Sequence, residues 1–282
     1  MRKNCKTPLR YPGGKSRAIK NIMPMIEKTL GKINEFRDPF LGGGSIPLEL
    51  SKNNPDMKIW VNDIYYPLYC FWKTLKEDPK YLHECLMEIK KSNKNPDIAR
   101  ESFYNAKVLL ESQSLNQKDT AVNFFVVNKC SFSGLTESSS FSQGASENNF
   151  TLKNIGNLPY YSDVIQKWKI TNFDYYKLLE NADEKILIYF DPPYNINNYL
   201  YGKKGKLHKK FDHELFIKNV SNIKCNSIIS YNNDPVLAKK LTEEGSYNAN
   251  SFDLTYTLRS VGDYMKNQSN RKELLLNNFT DS

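Results

Sequence analysis

The sequence has few of the residues that build metal sites and disulfide frameworks. It has five scattered cysteines with no Cys-x-x-Cys pair, and only three histidines. Structural zinc sites need closely spaced cysteine and histidine ligands, and disulfide scaffolds pair cysteines in even numbers. We therefore expect neither a metal site nor a disulfide scaffold, so other side chains must carry any chemistry. The cysteines are Cys5, Cys70, Cys85, Cys130 and Cys225.

Long apolar runs are also missing. No stretch reaches the roughly 18 consecutive apolar residues that a membrane-spanning helix requires. Residues 1–6 are basic, but they lead into no apolar segment like that of a secretory signal peptide. The sequence thus predicts a cytoplasmic protein with no membrane partner.

Acidic residues are outnumbered by basic ones. The 282-residue chain has 40 Lys and Arg against 31 Asp and Glu, a formal net charge of +9, and 13% aromatic residues. A basic, aromatic-rich chain suits a polyanionic partner such as nucleic acid, although charge alone does not establish one. The length fits one large α/β domain, with or without a smaller inserted domain.

Residues 186–194 form the stretch around which the other motifs are arranged. Residues 186–190 are apolar and indicate a strand buried on both faces of a parallel sheet. The two prolines that follow Asp191 donate no backbone hydrogen bond, so the strand must end in a rigid turn that holds Asp191 and Tyr194. A carboxylate and an aromatic ring at a strand's carboxyl end suit a flat heterocycle that bears an amino group. A charged turn that merely closes the strand is the alternative.

Two glycine clusters precede this stretch. Gly13 and Gly14 expose backbone amides beside Lys15, but a phosphate-binding P-loop is disfavoured because Leu9 stands where that motif needs glycine. Glycines 42–44 lie between a predicted strand and a predicted helix, and the next predicted strand ends at Asp63. This spacing favours a nucleoside-containing cofactor, with Asp63 accepting hydrogen bonds from ribose hydroxyls.

The regular alternation of strands and helices stops between about residues 73 and 160. Helices are predicted over 71–91, 99–111 and 121–129, and a Ser-rich segment follows at 130–150. We interpret that segment as one that becomes ordered against a partner, with a solvated loop as the alternative. The sheet is predicted to resume at 169–174, and later strands are predicted at 227–233, 252–258 and 272–278.

Together these strings resemble the Dam-type (class alpha) DNA adenine methyltransferases. Six strings carry the resemblance, in this order: YPGGK at 11–15, DPFLGGGS at 38–45, ND at 62–63, NKCSFSGL at 128–135, DPPY at 191–194 and KELL at 272–275. The resemblance implies an α/β, Rossmann-like methyltransferase fold with a mixed, mostly parallel seven-stranded sheet. It also implies a catalytic domain of residues 1–72 and 161–282, and an inserted, mainly helical target-recognition domain of residues 73–160 with a hairpin loop.

The resemblance further implies an enzyme of prokaryotic or viral origin that acts on double-stranded DNA. Its cofactor would be S-adenosyl-L-methionine, its product N6-methyladenine, and its state a monomer or weak dimer, with or without a cognate restriction endonuclease. Matching motif positions assign the catalytic residues Asp191, Pro192 and Tyr194. They assign the cofactor-binding residues Tyr11, Lys15, Phe40, Gly42, Asp63, Phe173 and Asp191. DNA contacts are expected from Lys129, Ser131, Ser133, Lys203 and Lys204.

The motif chemistry fits transfer to an adenine amino group. The N6 lone pair is delocalised into the ring, so acceptors at the Asp191 carboxylate and the Pro192 carbonyl would localise it, while Tyr194 stacks on the base. Because N6 is paired inside the duplex, the adenine must be flipped out. Lys15, the Ser-rich segment and the lysines after Tyr194 are candidates for holding the DNA during flipping. The alternatives are transfer to cytosine N4 or RNA, and a DNA-binding protein without catalysis.

Overall fold

The structure is a computed structural model that describes residues 7–11, 13–112, 114–134, 139–194, 211–232, 234–254 and 271–280. Its seven strands form one sheet in the order β3-β2-β1-β4-β5-β7-β6. The strands are β1 (Glu35–Asp38), β2 (Lys58–Asn62), β3 (Trp168–Thr171), β4 (Ile186–Phe190), β5 (Asn226–Asn232), β6 (Asn248–Leu254) and β7 (Arg271–Asn277). Strands β3, β2, β1, β4 and β5 are parallel, whereas β7 runs antiparallel between β5 and β6. The predicted mixed, mostly parallel sheet is confirmed.

Strand β4 lies at the centre of the sheet because its side chains are apolar on both faces. Ile186, Ile188 and Phe190 belong to the buried cluster on one face. Leu187 and Tyr189 belong to the cluster on the other face. Burying each such side chain contributes about 1.5–3 kcal/mol. This packing fixes the carboxyl end of β4, where Asp191 follows.

Helices cover both faces of the sheet and form a group between β2 and β3. They are α1 (Ile19–Glu27), α2 (Ser45–Asn53), α3 (Tyr66–Glu77), α4 (Pro79–Ser92), α5 (Pro96–Ser112), α6 (Gln117–Cys130), α7 (Gln143–Asn149), α8 (Leu152–Gly156), α9 (Leu158–Val164), α10 (His213–Ser221) and α11 (Pro235–Glu244). No helix in the described ranges is both long and apolar enough to cross a membrane.

The helix predicted over 71–91 is instead two helices, α3 and α4. The break occurs at Asp78, which has a non-helical backbone with φ −145° and ψ 64° and accepts a hydrogen bond from the Tyr81 amide at 3.1 Å. Pro79 then begins α4, where its missing N–H is not needed. The helices predicted over 99–111 and 121–129 are confirmed as α5 and α6, which extend further at both ends.

Two strand predictions need adjustment at their ends. The strand predicted over 169–174 runs only from Trp168 to Thr171, and a 3-10 helix, Tyr175–Leu179, follows it. The strand predicted at 252–258 begins earlier, at Asn248; residues 255–258 lie outside the described residues. The strands predicted at 227–233 and 272–278 are confirmed as β5 and β7.

Helix α6 forms the centre of the helical group between β2 and β3. Most of its residues are buried, and it packs against α3, α4, α5 and α7. The apolar core of this group is continuous with one face of the sheet, where the rings of Trp72 and Trp168 lie 5.6 Å apart. A domain boundary at residue 72 falls inside α3, so the proposed division into two domains stays a prediction.

The Ser-rich segment is packed over its described residues and is not a solvated loop there. It contains a 3-10 helix, Phe132–Gly134, and helix α7. An antiparallel bridge between Ser131 and Phe141 closes a hairpin-like loop. Residues 135–138 lie outside the described part of the chain.

Candidate active site

A cleft opens at the carboxyl edge of the parallel strands, beside the end of β4. Its walls come from the segment before α1, the glycine turn between β1 and α2, the residues after β2, and the turn after β4. The side chains that matter below are Tyr11, Lys15, Asp38, Phe40, Asp63, Ile64 and Asp191. The carboxyl edge of a parallel sheet is where ligands bind in open α/β folds.

The glycine turn needs residues without a side chain. Gly42 and Gly44 have left-handed φ values of +49° and +70°, and a Cβ at Gly44 would lie 2.8 Å from the Trp72 ring. A Cβ at Gly42 would lie 2.9 Å from the ring of Tyr11. The turn therefore brings the start of α2 close to the cleft, with its backbone accessible to a ligand.

Substituting Gly44→Ala should destabilise the fold. The left-handed backbone and the contact with the Trp72 ring together should lower the free energy of unfolding by about 2 kcal/mol, measured by chemical denaturation. Gly31→Ala is the matched control, because among the described residues no atom lies within 4 Å of a Cβ built there. Equal effects of the two substitutions would contradict this account.

Asp63 ties the end of β2 to the glycine turn. Its Oδ2 accepts a hydrogen bond from the Gly42 amide at 2.9 Å, and its Oδ1 accepts one from the Tyr65 amide at 3.0 Å. Burial raises the pKa of this carboxyl to about 6. Each carboxylate oxygen has a second lone pair, so the predicted contact with ribose hydroxyls remains compatible with these bonds.

Lys15 connects the beginning of the chain to the DPPY turn. Its buried ammonium donates to Asp191 Oδ1 at 2.7 Å and to the Tyr194 hydroxyl at 2.6 Å. It also lies 3.3 Å from Glu273 Oε1. Because carboxylates and the Tyr194 hydroxyl engage the buried ammonium, a role of Lys15 in holding DNA would require these contacts to change, and that role stays a prediction.

Burial and ion pairing shift the pKa values of this cluster in opposite directions. Burial raises the pKa of Asp191 to about 6, although Lys15 acts in the opposite direction. Burial disfavours the Lys15 ammonium, but Asp191, Tyr194 and Glu273 raise its pKa well above the ordinary value. Near neutral pH, Asp191 is thus ionised and paired, and its side chain is still 21% exposed at the cleft.

Asp38 is a site residue that the sequence reasoning did not single out. It ends β1, is buried, and accepts a hydrogen bond from the Phe40 amide at 3.1 Å. Burial raises its pKa well above the usual range, and the neighbouring Asp191 and Asp63 add to the effect. Three carboxyl groups therefore converge on the cleft and favour a cationic ligand.

The apolar wall of the cleft differs in part from the expectation. Phe40 lines it as predicted and stacks on Tyr175 with ring centroids 5.5 Å apart. Ile64, which is 51% exposed and was not predicted, also lines the cleft. Phe173 is 50% exposed after β3, and Asn62 holds its backbone through two hydrogen bonds. Its contact with a cofactor stays a prediction.

Two of the residues expected to contact DNA are buried in the described part of the chain. Lys129 and Ser131 are buried, and burial lowers the pKa of Lys129 to about 8. Direct DNA contact by either residue would require a rearrangement of this conformation. The side chain of Ser133, and all of Lys203 and Lys204, lie outside the described residues.

Phe132, which follows buried Ser131, is 41% exposed and was not among the predicted DNA contacts. Only the alternation of polar and aromatic residues in the Ser-rich segment could have indicated it. Arg10 anchors this segment to the cleft: its guanidinium donates to the Ser131 carbonyl at 2.8 Å, and the Asn128 side chain bonds both its amide and its carbonyl. The hairpin-like loop and the wall formed by Tyr11 are therefore directly connected.

The sequence of residues 11–258 matches the model of a protein family described as D12 class N6 adenine-specific DNA methyltransferase. The chain belongs to this family. The match includes the glycine turn, Asp63, the helical group and the DPPY turn. The resemblance to adenine methyltransferases is thereby confirmed, and DNA is the substrate class that the family implies.

Two curated relatives are consistent with membership of this D12 class. The type II methyltransferase M.MjaIII of Methanocaldococcus jannaschii is 25% identical over 200 residues, which cover 66% of this chain and 68% of the relative. The type II methyltransferase M1.LlaDCHI of Lactococcus lactis subsp. cremoris is 24% identical over 206 residues. That alignment covers 66% of this chain and 64% of the relative, just under two thirds of its length.

Proposed function

We propose that this D12-class methyltransferase transfers a methyl group from S-adenosyl-L-methionine to N6 of an adenine flipped out of double-stranded DNA. The observation that carries the proposal is the placement of Asp191 at the glycine-turn cleft, directly after the central strand, with the Tyr194 hydroxyl joined to it through Lys15. One position thus combines an acceptor for amino hydrogens, an aromatic ring and space for a cofactor.

The charge of the cleft supports S-adenosyl-L-methionine as the methyl donor. Bound there, it would supply an electrophilic methyl group on a positively charged sulfur. Asp38, Asp63 and Asp191 all have raised pKa values, so a nearby cation would stabilise their ionised forms. Tyr11, Phe40 and Gly42 line the same cleft, as proposed for cofactor contacts.

The residues of the DPPY turn can activate an amino nitrogen. The Asp191 carboxylate and the Pro192 carbonyl would each accept one amino hydrogen, which localises the nitrogen lone pair. The negative charge of Asp191 stabilises the positive charge that develops on nitrogen during transfer, and Asp191 or water then takes the proton. Tyr194 would stack on the flipped base. Its own ring packs at a tilt against that of buried Tyr231, with centroids 5.0 Å apart.

DNA contacts are assigned to two parts of the chain. We propose that residues 73–160 include the target-recognition element, with exposed Phe132 at the hairpin-like loop as its candidate contact with bases. Phosphate contacts are assigned to the basic stretch after the DPPY turn, which has five lysines and no acidic residue between 203 and 210. Phosphate contacts fix the position of a protein on DNA, whereas base contacts determine its specificity.

Removing Lys203 and Lys204 should weaken DNA binding and reduce its salt dependence. Each lost phosphate contact lowers the slope of log K against log salt by about 0.9, so the double change to Ser should lower it by up to about 1.8. Fluorescence anisotropy with a labelled duplex at several salt concentrations measures the slope. The control is Lys91→Ser with Lys94→Ser, two exposed residues in and after α4. An equal loss in both variants would mean that net charge, and not this stretch, governs binding.

The proposed reaction is tested by incubating purified protein with S-adenosyl-L-methionine and unmodified genomic DNA. Single-molecule sequencing should find N6-methyladenine at one recurring sequence. Methylation of cytosine N4 or of RNA would replace the proposed acceptor. Cofactor and DNA binding without any methylation would favour a non-catalytic relative.

The names of the relatives as type II methyltransferases favour a restriction–modification setting with a cognate endonuclease. We propose that the enzyme itself acts as a monomer or weak dimer. Sedimentation with and without a duplex tests this proposal.

A further inference from the structure

Glu273 is a buried carboxylate that the mechanism above does not use. It lies near the start of β7, where its Cα pairs with that of Asn232 at the end of β5. Because β7 is antiparallel to β5, its first residues reach the carboxyl edge of the parallel strands. The Glu273 side chain is only 2% exposed. Burying a carboxylate costs several kcal/mol unless it is well paired, so its partners need an explanation.

The partners of Glu273 link it to both catalytic side chains. The Tyr194 hydroxyl donates a short hydrogen bond to Oε1, and the Ser230 hydroxyl donates to the same oxygen at 3.0 Å. The Lys15 ammonium lies 3.3 Å from it and donates to the Tyr194 oxygen. The hydroxyl of Tyr194 thus accepts from Lys15 and donates to Glu273.

The Tyr194 hydroxyl has one proton, and two carboxylates are within reach of it. Besides Glu273, Asp191 interacts with this hydroxyl, which lowers the pKa of Asp191. If the proton were donated to Asp191, it would occupy a lone pair that the proposed reaction needs for an adenine amino hydrogen. An ionised Glu273 can only accept, so it competes directly for that proton.

We propose that Glu273 is a positioning residue that takes the Tyr194 hydroxyl proton and shares the Lys15 ammonium, which leaves Asp191 free to accept from the target amine. This inference rests on the proposed function, since it assigns the task of Glu273 within that reaction.

The titratable side chains near Glu273 would contribute to any pH dependence of methyl transfer. The titratable groups are Lys15 before α1, and Tyr189, Asp191 and Tyr194 on and after β4. Tyr189 is neutral because burial raises its pKa well above the ordinary value. On the neighbouring strands, Ser230 of β5 donates to Glu273, and Phe252 of β6 is its partner in the strand register. Neither side chain carries a charge. Since Glu273 raises the pKa of Asp191, neutralising Glu273 should lower it.

The test combines Glu273→Gln with Tyr194→Phe in a double-mutant cycle. Glu273→Gln alone should slow single-turnover methyl transfer about 10- to 100-fold, the equivalent of one charge-assisted hydrogen bond. In the Tyr194→Phe background the same change should have at most a few-fold effect, because no hydroxyl proton is left to redirect. The matched control is Glu49→Gln, a buried glutamate in α2, which should leave the rate unchanged.

A second readout does not depend on methyl transfer. Carbon-13 NMR of the Asp191 carboxyl should show its pKa falling below the value of about 6 when Glu273 is replaced by Gln. A role that does not involve the Tyr194 hydroxyl would give the same change of the Asp191 pKa in the Tyr194→Phe background and make the two substitutions additive in rate, and either result would overturn the inference. If the wild-type protein transfers no methyl group, the proposed function fails, and the NMR titration alone decides the role of Glu273.

If Glu273→Gln does not fold, Ser230→Ala should slow transfer a few-fold, and an unchanged rate would contradict the inference.

Discussion

Replacing Asp191 with Asn should reduce methyl transfer by about 10³-fold or more. The amide has nearly the same shape, but it loses the negative charge that stabilises a cationic N6 and leaves only one acceptor atom for the amino hydrogen and Lys15. The rate should be measured in single turnovers with saturating cofactor and DNA. Binding of DNA should change little, because Asp191 lies at the cleft and not among the assigned phosphate contacts.

The matched control for this substitution is Asp163→Asn. Asp163 lies exposed in α9, away from the cleft. It should keep the wild-type rate. If the Asp191 variant kept most of its activity, another acceptor would have to activate the amine, and the proposed mechanism would fail.

Replacing Lys15 with Met should affect both stability and activity. The change leaves Asp191 and Glu273 buried without their shared cation, which should lower the free energy of unfolding by about 3 kcal/mol at pH 8. The pKa of Asp191, already about 6 with Lys15 present, should rise further because Lys15 lowers it. At neutral pH the carboxyl would then be largely protonated, and methyl transfer should be nearly lost.

The effect of the Lys15 change on stability should depend on pH with a defined sign. In the variant, the folded-state pKa of the carboxyl lies above its unfolded value, so the folded protein binds protons more tightly. Its stability relative to wild type should therefore recover as the pH falls from 8 towards 5. Denaturation at both pH values tests this, with exposed Lys20→Met of α1 as the control. A deficit that does not depend on pH would show that Lys15 matters through packing alone.

Short sequence motifs predict those parts of the site whose conformation depends on residues close together in the chain. The apolar run of β4, the two prolines after Asp191 and the glycine turn determine their own conformations, so all three lie where expected. The break at Asp78 was also readable, because an Asp followed by Pro is a signature of a helix start. It was missed because the apolar periodicity of α3 and α4 appears continuous across the break.

Contacts between distant residues could not be predicted in the same way. Lys15 and Asp191 are 176 positions apart, and nothing in the spacing of either motif shows that the ammonium is buried on the carboxylate. The same holds for Tyr194 and Glu273, which are 79 positions apart. The burial of Lys129 and Ser131 likewise depends on Arg10 and on the packing of α6, not on their own sequence neighbourhood.

The antiparallel position of β7 has a consequence for how the protein is made. The ribosome synthesises Lys15 early, Asp191 much later and Glu273 later still. Strand β7 must then insert between β5 and β6, which are both synthesised before it. Contacts across such sequence distances form slowly, since the loops between them must close first. The helical group between β2 and β3 can pack from local contacts well before then. The nascent chain can thus pack its helical group long before Asp191, the proposed catalytic carboxylate, acquires all its partners.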